Sequence, residues 1–287
     1  MIRSRIFVHG LKAHADEMWA SALLIASKPE IEFTEIIRDA KRIGEATEND
    51  YILDCGMKFD GIRLFDHHQF KIADDVDCTF TLIAKVFAPW IFTDEKFGPL
   101  AERVRIQDNF GIAAAEKKFG NADEWIVSES VLTELFEKEP LKIAKILAEG
   151  FVKRLSDILE TKEAEAWIRK NTHIELLGNG INVLVCETSP FKEGFSIVAY
   201  NAASSRYINE KKIEVAYGWN GDGSDARTLF RTKLGEKYID FTKSAPDAPV
   251  FCHNSGFLLV FNPSDECEYM KLVLQAADCE KNIKKSA

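Results

Sequence analysis

The sequence has few of the residues that define secreted or membrane proteins. Its 287 residues include only six cysteines, which are widely spread and form no CxxC pair. A disulfide framework needs a denser pattern, so we expect reduced thiols and a cytoplasmic location. The chain begins directly with a strand-like run, and we expect no cleaved leader. No stretch reaches the roughly 18 consecutive apolar residues of a membrane span, so we expect no membrane insertion.

Basic residues are also in short supply. The 37 lysines and arginines are outnumbered by 46 acidic residues, which gives a formal net charge of -9. A protein that coats nucleic acid by counterion release needs the opposite sign, so a strong nonspecific nucleic-acid binder is disfavoured. By contrast, 46% hydrophobic residues and 20 phenylalanines can bury a sizeable core, which excludes a disordered chain.

Short apolar runs that alternate with helical stretches begin the chain, and they predict an α/β protein with a mainly parallel sheet. We expect one helix at 16–27 and four strands, at 5–8, 31–37, 51–53 and 62–65. The polar residues that bind ligands in such sheets collect beyond the carboxyl ends of the strands.

A helical section follows the predicted sheet, and β-type runs then return. We expect helices at 79–91, 96–119 and 131–159, strands at 181–186, 195–200, 213–219 and within 250–261, and a closing helix at 266–282. We therefore predict two domains, 1–175 and a smaller α/β domain at 176–287.

Histidines are rare, yet five of the six fall into three short clusters. The first cluster places His9, His14 and Asp16 across a predicted strand end and helix start. It could bind a metal, or Asp16 could simply cap the helix, as aspartate often does. Asp54 also follows a predicted strand, and a turn-forming aspartate is its simpler explanation.

Asp66, His67 and His68 follow each other directly after an apolar run. Three titratable side chains at a sheet end are costly unless something charged is bound there, so a metal centre is the simplest explanation. Imidazole and carboxylate ligands together suit manganese, zinc, iron or cobalt. Asp108 interrupts a helical run and is a further candidate, although an exposed aspartate on a helix surface would look the same.

Five motifs occur in a specific order: HxxxxHADE at 9–17, LDCG at 53–56, FDHHQ at 65–69, QDNFGI at 107–112 and FCHNSGF at 251–257. Together they resemble the melanocyte-proliferating-gene exonuclease family, a branch of the DHH phosphoesterase superfamily. The resemblance implies a DHH catalytic domain with a parallel sheet. It also implies a smaller C-terminal domain that closes over the active site, and two divalent metal ions, typically Mn2+.

The resemblance also implies roles for individual residues. Asp54 would bridge the two ions and His68 would face the substrate phosphate. Asp66 would orient the His67 ring without binding an ion itself. The implied metal ligands are His9, His14, Asp16, Asp54, His67 and Asp108.

The C-terminal domain is expected to contribute to substrate binding. The resemblance implies a phosphate-contacting turn formed by His253 with the backbone of Asn254, Ser255 and Gly256. Arg231 could clamp a phosphate with two hydrogen bonds, but an arginine on the surface of an edge strand is an equal alternative.

The resulting hypothesis is a metal-dependent phosphoesterase, a phosphodiesterase or exonuclease that acts on short single-stranded oligonucleotides through a water activated by two metals. A long strand would need a basic, aromatic groove, which the acidic composition does not favour. A hydrolase of a small phosphorylated metabolite or a pyrophosphate-type substrate is one alternative. A metal- or nucleotide-binding regulatory protein without turnover is another, and a structural protein with incidental clusters is a third.

Overall fold

A computed structural model describes residues 2–70, 76–120, 123–178, 180–221, 224–244, 249–264 and 268–277 of the chain, without the side chains of 123–127. The chain forms two compact units, Met1–Arg154 and Leu155–Ala287. Among the described residues, no helix is both long and apolar enough to span a bilayer.

The first unit contains a parallel sheet of four strands. Its strands are β1 (Ile2–Val8), β2 (Ile31–Arg38), β3 (Tyr51–Leu53) and β4 (Leu64–Phe65), in the order β2-β1-β3-β4. Every neighbouring pair is parallel. The predicted sheet is therefore confirmed, with small differences in where strands begin and end.

Helices surround this sheet and bury its apolar side chains. They are α1 (Ala15–Ser27), α2 (Thr79–Phe87), α3 (Phe97–Phe110), α4 (Ile112–Phe119), α5 (Asp123–Lys138) and α6 (Pro140–Asn171), which continues into the second unit. A core of strand and helix residues, including Ile6, Leu24, Phe65 and Phe80, lies between the layers.

Two of the long helices predicted from the sequence are interrupted in the structure. The stretch 96–119 divides into α3 and α4 at Gly111, which has a φ of 83° that favours glycine. The stretch 131–159 divides between α5 and α6, where Pro140 begins a new helix because it has no N–H to continue the previous one.

The second unit contains a mixed sheet of six strands. They are β5 (Thr172–Leu176), β6 (Asn182–Cys186), β7 (Val215–Trp219), β8 (Arg227–Arg231), β9 (Phe251–Cys252) and β10 (Leu258–Phe261), in the order β5-β6-β7-β8-β10-β9. Helices α7 (Ile197–Lys211) and α8 (Glu268–Ala276) complete the unit. The α/β class is thus confirmed for both units.

One strand prediction in this unit is wrong. Residues 195–200 lead into α7 instead, because Ser196 caps the helix by accepting a hydrogen bond from the Ala199 amide. Helix α8 lies within the closing helix predicted at 266–282, and residues 266–267 and 278–282 of that prediction lie outside the described part of the chain. The boundary at 175 and the closure of the C-terminal domain over the active site stay predictions.

A buried ion pair ties the loop before β3 to the sheet. Asp50 is 3% exposed, and its carboxylate accepts hydrogen bonds from the backbone and guanidinium of Arg5 and from Thr47. Burial opposes ionisation, but these hydrogen bonds prevail and lower the pKa of Asp50 to about 2. The ionised carboxylate therefore stabilises the folded state.

We expect Asp50→Asn to lower the free energy of unfolding at pH 7 by about 2 kcal/mol, the equivalent of its pKa shift. Because the folded pKa lies below the ordinary value of 3.8, this stabilisation is present above about pH 4 and is lost as the pH falls toward about 2. Urea denaturation across this range measures it. The exposed Glu48→Gln is the control, and equal stability of the two variants at pH 7 would contradict the assignment.

Candidate metal centre

Polar side chains follow three neighbouring strands of the first sheet, at the point where each strand ends. His9 follows β1, Asp54 follows β3, and Asp66, His67 and His68 follow β4. Because these strands are parallel and adjacent, their carboxyl ends meet at one edge of the sheet.

Asp54 lies at the centre of this edge and is 3% exposed. Its Oδ2 is 3.2 Å from His9 Nε2, and its Oδ1 is 3.3 Å from His67 Nε2. Thr79 donates a hydrogen bond of 3.4 Å from its hydroxyl to the same Oδ1. The φ of Asp54, at 54°, is in the left-handed region, which costs a residue other than glycine about 1 kcal/mol or more. The two oxygens of one carboxylate thus face two different histidines.

Asp16 joins two helices at the same edge. It is 1% exposed, and its oxygens accept hydrogen bonds from the backbone amides of Thr79 (2.9 Å) and Phe80 (2.7 Å) in the first turn of α2. The simple alternative, in which Asp16 caps its own helix, is therefore wrong. His14 occupies the N-cap position of α1. Asp16 instead provides hydrogen-bond acceptors for the unpaired backbone amides at the start of α2.

Asp108 reaches the cluster from the last turns of α3. Its Oδ2 is 3.0 Å from His67 Nε2, and its side chain is only 13% exposed. The alternative that Asp108 is an exposed aspartate on a helix surface is therefore wrong. His67 Nε2 also lies 4.0 Å from Asp16 Oδ2, so His67 faces three carboxylates in all.

Asp66 contacts a different histidine from the one expected. Its Oδ1 lies 2.7 Å from His68 Nδ1, and its Oδ2 accepts a 2.6 Å hydrogen bond from the Met57 amide. The expectation that Asp66 orients His67 is wrong, because Asp66 Oδ1 also accepts a 2.9 Å hydrogen bond from the His68 amide, and this local turn brings the carboxylate to the His68 ring.

The described histidines and carboxylates form three groups whose candidate ligand atoms lie within 4.8 Å of one another. One group contains His9, His14 and Asp54. The other two are Asp54, His67 and His68, and Asp16, His67 and Asp108. All six residues predicted as metal ligands therefore come together, with Asp54 and His67 each shared between two groups.

Two residues of this edge, Glu17 and Arg38, have no role predicted from the sequence. Glu17 is 0% exposed, and its Oε1 is hydrogen-bonded by Arg38 Nη2 at 3.2 Å and by the His14 amide at 3.3 Å. Its Oε2 is 3.6 Å from His9 Nε2. Arg38 is the last residue of β2, so the rule that placed the other residues at strand ends could have found it. Burial of Glu17 leaves no comparable pattern in the sequence.

The carboxylates of the cluster outnumber its cations, and the pKa values reflect this. Burial raises the pKa of Glu17 to about 7 and, with the charges of Asp108 and Asp54, raises that of Asp16. Burial opposes the pKa changes of Asp54 and His67, but the contacts of these two side chains with charged neighbours outweigh it. Contacts with His67 and His9 lower the pKa of Asp54 to about 2, and contacts with Asp108 and Asp54 raise the pKa of His67 to about 10. The site favours bound positive charge.

Three buried atoms of the cluster have no hydrogen-bond partner of good geometry among the described residues: His9 Nε2, His67 Nε2 and Glu17 Oε2. Leaving such atoms unpaired is costly, and a cation would satisfy all of them. Imidazole nitrogens with carboxylate oxygens suit a divalent transition metal. These residues therefore fit one or more divalent ions.

A cavity of about 360 Å³ opens beside the cluster. Asp54, His67 and Asp108 lie in its wall together with His68 and Asn109. The side chain of His68 is 52% exposed, in contrast to the buried His67. A small anionic group could therefore reach both the cluster and His68.

The residues predicted to bind substrate from the C-terminal domain lie in the second unit. His253 to Gly256 form the turn between β9 and β10, where His253 Nδ1 lies 2.9 Å from Ser255 Oγ. Gly256 has a φ of 65°, and a side chain there would collide with Asp240. Asn254 is exposed in the same turn.

Arg231 lies next to this turn but is partly engaged within the protein. Its amide donates to the Phe257 carbonyl at 2.8 Å, and its Nη1 donates to the Ile239 carbonyl at 2.6 Å. It belongs to β8, which pairs with strands on both sides, so the alternative of an edge-strand arginine is wrong. Its binding of phosphate stays a prediction.

The α/β sheet and its cluster at the carboxyl edge thus define a protein with a candidate metal centre. The model of the MYG1 exonuclease family, MYG1_exonuc, described as "Uncharacterised protein family (UPF0160)", matches residues 5–83. The resemblance predicted from the motifs is therefore confirmed for the part of the chain from His9 to His68. Asp108 and the C-terminal motif lie beyond the matched residues. No curated protein matches the chain significantly.

Two solved structures align with most of the chain at 15% identity. One is described as the DHH domain of a member of the s1p family of ribosomal proteins, with 95% of this chain and 86% of that chain covered and a TM-score of 0.36. The other is RecJ from Thermus thermophilus in complex with Mn2+, with 95% and 51% covered and a TM-score of 0.28. This chain spans about half the length of RecJ. Neither TM-score reaches 0.5, so neither likeness bears on the site.

We expect Glu17→Gln to weaken Mn2+ binding about tenfold or more, because it removes a buried carboxylate that lies 3.6 Å from His9 Nε2, the nitrogen that would face the ion. Calorimetric titration of metal into the full-length chain measures the change. Glu35→Gln, at an exposed position of β2, is the matched control. Equal Mn2+ affinity of the Glu17 and Glu35 variants would show that Glu17 has no part in metal binding.

Proposed function

We propose that this protein is a divalent-metal-dependent phosphoesterase that hydrolyses short single-stranded oligonucleotides. The observation that carries the proposal is the position of Asp54, whose two oxygens face His9 on one side and His67 on the other. A carboxylate placed in this way suits a bridge between two ions. The family match over residues 5–83 supports an exonuclease-type phosphoesterase.

The residues proposed to hold the ions are those of the three groups at the sheet edge. His9 and His14 would serve one ion and Asp16, His67 and Asp108 the other, with Asp54 common to both. Divalent ions bound there, for which we propose Mn2+, would act as Lewis acids. They would lower the pKa of a bound water toward about 7, so that hydroxide is available near neutral pH.

His68 is proposed to act on the substrate directly. Its Nδ1 is held by Asp66 at 2.7 Å, which fixes the ring and leaves Nε2 available. A protonated Nε2 would donate a hydrogen bond to a phosphoryl oxygen and offset the negative charge that grows there during hydrolysis.

The proposed substrate is short. The chain carries a net charge of -9, and a groove for a long strand needs a basic lining. The cavity beside the cluster, at about 360 Å³, is at the small end of the range for ligand pockets. A small phosphorylated metabolite remains the second candidate substrate on the same observation.

We expect the full-length chain to release mononucleotides from a short RNA or DNA in the presence of Mn2+. His68→Ala should lower turnover about 100-fold or more, since it removes the proposed donor, while the metal content is nearly unchanged. Asp54→Ala should lower both turnover and metal content. His173→Ala, at an exposed histidine outside the cluster, is the control.

The same assay distinguishes the alternatives. Full activity of His68→Ala would contradict its assigned role. Hydrolysis of pyrophosphate or of a small phosphate ester, without hydrolysis of oligonucleotides, would favour the second substrate class. Metal binding without turnover of any substrate would instead identify a regulatory protein.

A further inference from the structure

An aromatic side chain lies in the wall of the cavity beside the metal cluster, and the proposed chemistry gives it no role. Phe70 is 41% exposed and lines this cavity together with Asp54 and His68. It follows His68 by two residues, and its amide donates a 2.9 Å hydrogen bond to the His67 carbonyl. The backbone that carries the phenyl ring is therefore tied to the segment that carries the cluster.

Phe70 packs against a second exposed phenylalanine. Phe59 is 40% exposed, and its ring centroid is 6.2 Å from that of Phe70. Its centroid is also 5.7 Å from that of Phe65, which is fully buried. A single exposed apolar residue needs no explanation. A series of aromatic contacts that runs from the core to the wall of a charged cavity does, because it holds an apolar ring in water beside the cluster.

Asp66 anchors both His68 and the segment that carries Phe59. Its Oδ1 accepts a hydrogen bond from the His68 amide and lies 2.7 Å from His68 Nδ1. Its Oδ2 accepts a 2.6 Å hydrogen bond from the Met57 amide, and its own amide donates to the Lys58 carbonyl at 3.0 Å. The aromatic pair and the proposed phosphate donor are thus held by one residue.

The cavity has another apolar side chain on its opposite side. Leu11 is 76% exposed and follows β1, whereas Phe70 follows β4, and β3 with Asp54 lies between these strands. Neighbouring strands are about 4.8 Å apart, so the strands that lead to the two apolar side chains are about 10 Å apart. An inorganic anion such as pyrophosphate would gain nothing from these side chains. A substrate with a flat, largely apolar ring would bury them.

We propose that Phe70 stacks on a nucleobase of the substrate, the base next to the phosphate that is held at the metal cluster. Every nucleobase has a π-face, so stacking on an aromatic side chain adds affinity without requiring a particular sequence. The inference rests on the proposed function and deepens it, because it makes a nucleotide the preferred substrate unit of this site over pyrophosphate or a sugar phosphate. The small cavity, of about 360 Å³, suits one such unit at a time.

Calorimetric titration of the full-length chain in Mn2+ tests this proposal with ligands that differ in the base. Adenosine 5′-monophosphate and its 3′ isomer contain a base, and ribose 5-phosphate does not. We expect Phe70→Ala to weaken binding of the tighter adenosine isomer about tenfold and to leave ribose 5-phosphate binding within about twofold. Phe70→Trp should bind the nucleotide at least as tightly as the natural chain, because indole presents a larger ring. Phe92→Ala, at a phenylalanine that is 42% exposed but outside the cavity, is the matched control.

Three results would overturn the proposal. These are no binding of either adenosine monophosphate at about 5 mM, equal nucleotide affinities of Phe70→Ala and Phe92→Ala, and an equal loss of nucleotide and ribose 5-phosphate binding in Phe70→Ala. The titration measures binding and not turnover. Nucleotide binding through Phe70 without hydrolysis of oligonucleotides would contradict the proposed function alone, whereas hydrolysis with equal nucleotide affinities of the two variants would contradict this inference alone.

Discussion

Burial of negative charge at one edge of the parallel sheet is the constraint on which the first unit depends. Asp16, Glu17 and Asp54 are each at most 3% exposed, and unpaired buried carboxylates are very costly. The fold offsets this cost with three different kinds of positive charge. Helix amides at the start of α2 serve Asp16, the Arg38 guanidinium serves Glu17, and imidazoles serve Asp54. Divalent ions would complete the compensation.

The parallel sheet could be predicted because its strands are short, apolar and separated by clear breaks. β3, at Tyr51–Leu53, has the predicted bounds. The predicted helices and strands differ from the structure where a single residue that ends or caps a helix outweighs the composition of the surrounding stretch. Gly111 and Pro140 divide stretches whose composition is continuously helical. The run at 195–200 is rich in β-forming residues, yet the Ser196 cap and the helical sequence after it prevail.

The candidate site was accessible from the sequence because its residues follow strand ends and include rare histidines. His9, Asp54 and His67 come together simply because parallel neighbouring strands end at the same edge. Contacts that depend on the exact direction of a side chain could not be predicted in this way. The pairing of Asp66 with His68 follows from a local turn in which the His68 amide also donates to the Asp66 carboxylate. The burial of Glu17 follows from the packing of α1, which no local pattern reveals.

We propose a bridging position for the Asp54 carboxylate, between two divalent ions that would bind on the His9 and His67 sides. Its most direct test is the anomalous difference map from crystals of the full-length chain grown with Mn2+ and measured at the manganese absorption edge. We expect two peaks, one on the His9 side of Asp54 and one on the His67 side. No peak at this edge of the sheet, or a single peak away from Asp54, would contradict it.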